Sequence, residues 1–174
     1  MSGYHWALLA VAALGTLACV RACRGAERVE ALAALGAMAL AMSGAGPLLC
    51  AGVAVLGLLA LRMGLRMGAG GALCLHRGAS HLAMAAVLLA LFVLNGVGIC
   101  GDAALPLLTA EGVSLPPMTR AAELFVQGAA LGLMAYLGLS LLLCWRETGR
   151  GRAGGLMEIL PMTLATFGMA VRIG

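Results

Sequence analysis

Three histidines, six cysteines and 11 methionines are the residues of this 174-residue chain whose chemistry could be put to use. Imidazole, thiolate and thioether are soft donors, and together they select Cu(I) over harder cations. Met38 and Met42 stand i, i+4 on one helical face, and Met84 lies one turn beyond His81. These four, Met38, Met42, His81 and Met84, form the candidate metal set, with Met162 and Met169 placed to face them from a later helix. His76 and His81 are five residues apart, about 140° around a helix, so they would diverge if both were helical. The competing reading is that methionine simply fills irregular gaps between helices. Cys50 and Cys100 fall at matching ends of their apolar runs and are a candidate disulfide in an oxidising compartment. Asn95, Glu123 and Gln127 are polar groups inside apolar runs, where they are costly, and are the candidate lining of an outward polar pocket.

Other chemistries are excluded. All 11 basic residues are arginine, so there is no lysine for a Schiff base or a P-loop. The chain lacks His-Glu-x-x-His, Gly-x-Ser-x-Gly and a complete Gly-x-Gly-x-x-Gly, and offers no Asp-rich motif for phosphate transfer. No catalytic residue is assigned.

What must position these groups is a set of apolar helices. The sequence is 63% hydrophobic and 10% charged with a mean hydropathy of +1.05, a composition suited to lipid rather than water. A bilayer core of about 30 Å needs about 20 apolar residues per helix. Reading between charges gives about six spans, at about 4–20, 29–45, 47–62, 79–100, 121–145 and 156–172, the alternative being five with the last run as an interfacial tail. The expected fold is therefore all-α, a polytopic transmembrane bundle arranged as one domain over 1–174. Gly64 to Gly78 reads as a loop, because it carries Arg66, Arg77 and several glycines. Glu30 and Glu158 read as first-turn carboxylates that complement the helix dipole and pair with Arg28 or Arg152.

Charge distribution orients this threading. With the N-terminus outside, nine arginines (21, 24, 28, 62, 66, 77, 146, 150 and 152) lie on the cytoplasmic side and only Arg120 and Arg172 outside. The net charge of +4 thus concerns topology, and no nucleic-acid partner is expected. A bacterial cytoplasmic membrane protein with both termini outside is the expected localisation.

The even-numbered spans echo one another: Glu30 with Met38 and Met42, His81 with Met84, and Glu158 with Met162 and Met169 suggest three helical hairpins in series. Gly128 and Gly132 form a GxxxG, expected to pack within the chain or alternatively to serve as a homodimer face. Trp6, the Cys19-Val-Arg21 end of the first helix, Met38-Ala-Leu-Ala-Met42-Ser and His81-Leu-Ala-Met84-Ala occur in an order that resembles the small actinobacterial integral membrane proteins grouped as a domain of unknown function. The chain departs from that pattern at Ala34 and Leu35, where a histidine would be expected. The resemblance implies a multi-pass fold with His- and Met-bearing even helices and brings no established activity. The functional expectation is a non-catalytic scaffold or accessory subunit that works through helix contacts with other membrane subunits. Its alternatives are Cu(I) binding or transport, and a small transporter using the outward pocket.

Overall fold

The computed structural model describes residues 3–23, 25–42, 46–95 and 119–170, with the side chains of His5, residues 67–70 and Asn95 outside that description. The described residues form six helices: α1 (Gly3–Ala22), α2 (Ala26–Ala41), α3 (Gly46–Leu65), α4 (Met67–Asn95), α5 (Arg120–Gly149) and α6 (Ala153–Ala170). The protein is an α-helical bundle, as its composition predicts. Gly46–Leu65, Gly71–Leu94, Arg120–Gly149 and Ala153–Ala170 are each long and apolar enough to cross a membrane. The apolar part of α1, Trp6–Ala22, is shorter, and α2 has 16 residues.

Each helix packs against the next, and α6 returns to α1, so the six close a ring. Inside it, α4 also touches α2 and α6. Burial follows: 61% of the apolar window of α4 is buried, against 22% for α3 and 28% for α5. A lipid-facing helix keeps its leucines exposed, as Leu58 and Leu61 of α3 and Leu131 and Leu141 of α5 do. Small residues let the helices approach. A Cβ at Gly52 of α3 would run into the carbonyl oxygen of Ala37 and meet the Ala41 side chain, so glycine sets the α2–α3 spacing. On the α1–α6 seam, the Tyr4 hydroxyl donates to the carbonyl of Gly168.

One expectation is corrected here. The 64–78 stretch is not a loop, because α4 begins at Met67 and its regular run starts at Gly71, which has φ 67° and ψ −170°. That conformation is almost restricted to glycine, and it confines the break to one residue. His76 and Arg77 therefore ride inside the bundle on the first turns of α4. The apolar pattern hid this, since arginine reads as a loop signal until its carboxylate partners are known.

Candidate functional site

Arg21, Arg28, Arg66, Arg150 and Arg152 lie in or within a turn of the α1–α2, α3–α4 and α5–α6 connections, all at one end of the bundle, the arginine end. Just inside it, α4 presents His76, Arg77, Ser80 and His81; although His76 and His81 stand about 140° apart around the helix, both are buried and line one cavity, which corrects the expectation that they would diverge. Arg77 Nε and Nη2 donate to Glu158 Oε1 and Oε2 at 2.5 and 3.0 Å, and Nη1 donates to Glu27 Oε2 at 3.1 Å. The planar guanidinium thus clamps α6 bidentately and reaches α2 with its third edge. A second cluster lies alongside. Glu30 takes Arg62 Nε at 2.7 Å and Arg66 Nη1 at 3.2 Å, joining α2 to the end of α3. Glu30 and Glu158 are both buried. Their expected partners are corrected accordingly: Arg62 and Arg66 replace Arg28, and Arg77 replaces Arg152. The reason is depth, since a carboxylate withdrawn into the bundle meets the arginines of facing helices rather than its neighbours in sequence.

Sulfur groups gather beside these charges. Cys19 and Cys23 Sγ are 3.4 Å apart, and Cys74 Sγ donates weakly to Met63 Sδ at 3.6 Å. Burial pushes the Cys23 thiol above its usual range, and its hydrogen bond to Glu27 adds to this. The same hydrogen bond, helped by Arg77, holds the Glu27 carboxyl below its ordinary value.

The inward face of α4 opens on a cavity of about 20 Å³ lined by Cys19, Met63, His76, Ser80, His81 and Met162, with Arg77, Glu27 and Glu158 at its wall. Next to it, a void of about 10 Å³ is lined by Met38, Met84 and Met162, and Thr16 and Met162 belong to both. Ser80 Oγ and His81 Nδ1 are buried without a hydrogen-bond partner among the described residues. His76 is held from behind. Its Nε2 lies 3.2 Å from Ser140 Oγ and 3.3 Å from the Tyr136 hydroxyl, which lies 3.4 Å from Thr163 Oγ1. Ser140 and Thr163 spend their protons on the carbonyls of Tyr136 and Ile159. The consistent assignment therefore places a proton on His76 Nε2, donating outward, and leaves Nδ1 as the basic nitrogen.

The structure brings some of the sequence-derived candidates together. Met38 and Met84 share the smaller void, His81 lines the larger one, and Met162 stands between. Met42 is buried in the same core without lining either void. Glu123 and Gln127 are exposed on α5, hydrogen-bonded to each other at 3.3 Å. The Asn95 side chain lies outside the described residues. Cys50 is exposed on α3, and Cys100, its candidate partner, lies outside the described residues. Sequence reasoning passed over Arg77 and Met63 as site residues. The i, i+4 pairs Arg77/His81 and His76/Ser80 would have pointed to the first, had 64–78 been read as helix. Among the described residues, no three His, Cys, Asp or Glu side chains are disposed to hold a metal ion.

A second concavity lies on the outside. Between α4 and α5 runs an apolar groove of about 530 Å³, floored by Ala79, Ala83, Ala86, Gly128, Gly132 and Ala135. The GxxxG pair does not pack within the chain as first expected: a Cβ at Gly128 or Gly132 would meet nothing within 4 Å. Compared with known proteins, the chain has no significant match to any protein-family model, curated protein or solved structure.

Proposed function

We propose that this is a six-span protein of the bacterial cytoplasmic membrane that acts without catalysis, as an accessory or scaffold subunit receiving a transmembrane helix of another membrane protein. The observation that carries the reading is the α4–α5 groove. Its small residues recur at helical spacing on two adjacent helices, which is the surface that allows close backbone approach in lipid. Two copies related by a two-fold axis would lay concavity on concavity and leave the space empty. A copy using a different face would make a heterologous contact that runs on into rings or filaments. A convex helix from a different protein fills the groove without either difficulty.

The arginine end faces the cytoplasm in this reading and both termini face outward, supported by the nine-to-two arginine split. Trp6 and Trp145 fit interfacial anchors, being 62% and 78% exposed near opposite ends of the bundle.

The test is a photo-crosslinking residue placed at Ala135 and, as a control, at Leu58 on the opposite exposed face of α3. In native membranes Ala135 is expected to give one protein adduct of defined mass, abolished by Gly132→Leu in the same chain. A ladder of self-adducts, or adducts to lipid alone, would remove the accessory reading.

A further inference from the structure

The two cavities share Thr16 and Met162 and are lined by soft donors, and the geometry points to a monovalent soft cation, Cu(I), as their ligand. We propose that Met63, His81 and Met162 hold the ion in the larger cavity and that Met38, Met84 and Met162 form a second station deeper in the bundle. The inference goes beyond the accessory role, and it concerns the isolated chain.

Four observations converge. Buried nitrogen with no partner is unusual, and His81, which lines the cavity, carries such a nitrogen at Nδ1. The donors around it are thioethers, which bind hard cations poorly and Cu(I) well. Both oxygens of Glu158 are taken by Arg77, so this carboxylate is not available to a hard cation. Charge selects valence as well. Among the groups that line the cavity, Arg77, Glu27 and Glu158 sum to one negative charge, and two thioethers and a neutral imidazole add none, so a single positive charge balances the lining. In a low-dielectric interior that balance favours a monovalent ion over a divalent one.

Size agrees with this. About 20 Å³ holds one water-sized body, a bare ion and not a hydrated one. Met162 lines both voids, so an ion can pass from one set of thioethers to the next without losing its sulfur contact. At the arginine end, Cys19 lines the larger cavity and Cys23 Sγ lies 3.4 Å from it, extending the soft donors toward the turn between α1 and α2. The rival occupant is a single water bridging Ser80 Oγ and His81 Nδ1.

Purified chain in detergent, with Cys50→Ser as background, is titrated anaerobically with Cu(I) against bicinchoninate. One tightly held Cu(I) per chain and a second, weaker one are expected, with both sulfur and nitrogen neighbours in X-ray absorption. Met63→Leu and His81→Gln should each weaken the first event at least about tenfold, whereas Met38→Leu should remove the second and spare the first. Met162→Leu should weaken both. Leucine preserves volume, so the methionine variants remain folded comparators, checked by elution and helicity. Met134→Leu and Met157→Leu, on exposed residues, should change nothing. Failure of the chain to compete with bicinchoninate for Cu(I), or an equal loss in the exposed-methionine variants, would overturn the proposal and leave the water.

Discussion

Arg77 is the residue on which most of the interior depends. Its side chain is 14% exposed and that of Glu158 is 4% exposed, so removing one partner strands the other charge inside the bundle. Arg77→Met and Glu158→Met are each expected to cost about 3–5 kcal/mol in unfolding experiments in detergent. Arg77→Met with Glu158→Met should cost much less than the sum, because neither charge is then left alone. A strictly additive double-mutant cycle would show that the pair is not coupled. Glu27 contributes to the acid limb of stability. Its folded-state value lies below the ordinary 4.5 through the Cys23 hydrogen bond, then Arg77 and Arg66, so it stabilises above that pH and ceases to as pH falls through the folded value. Thermal stability should therefore hold from neutrality to about pH 5 and decline below about 4.5, and Glu27→Gln should flatten that part of the decline.

At the scale of elements, the α2–α3 seam is fixed by Gly52, while Gly57 on the same helix meets nothing. Gly52→Leu is expected to destabilise by about 1–3 kcal/mol, and Gly57→Ala to be nearly neutral, as read from melting temperatures. This contrast was not legible in the sequence, where both glycines look alike. Other elements were. The apolar runs that became α3, α5 and α6 are visible in composition alone, because lipid-facing surfaces need little beyond length and hydropathy. The start of α4 was missed since Arg66, Arg77 and five glycines between 64 and 78 resemble a loop, and only contacts with Glu27 and Glu158 reveal otherwise. The candidate site was half legible for the same reason. Helical spacing pairs Met38 with Met42, but the shared cavity unites Met38, Met84 and Met162 from three helices. Such proximity is tertiary and leaves no local pattern.

For the whole molecule, a ring of six helices across which α4 also touches α2 and α6 means that no helix hairpin is complete by itself. α1 leans on α6, and α4 leans on helices made both before and after it. The arginine end holds the ion pairs between helices, and the opposite half is closed by apolar contacts such as Leu88 and Leu91 of α4 and Val126 and Ala129 of α5. Substitutions in the two halves should accordingly differ in salt response. Variants of Glu30, which pairs with the half-exposed Arg62 and Arg66, should lose less stability relative to the unaltered chain at 1 M salt than at 0.05 M. Leu88→Ala should lose about the same at both, measured by fluorescence-detected melting.

The Arg77–Glu158 clamp also sets an order on biogenesis. The two residues are 81 positions apart, so at ordinary translation rates the guanidinium waits roughly 4–16 s for its bidentate partner to be made. Glu27, made 50 residues earlier, can hold one edge of it meanwhile. A chain stopped before α6 therefore retains an incompletely matched charge in its central helix, and should be held by the insertion machinery and cleared by membrane proteases faster than the full chain in a pulse-chase. Glu27→Ala in the full chain should leave the guanidinium unpaired throughout that interval, raising early clearance in the pulse-chase without abolishing the finished bundle.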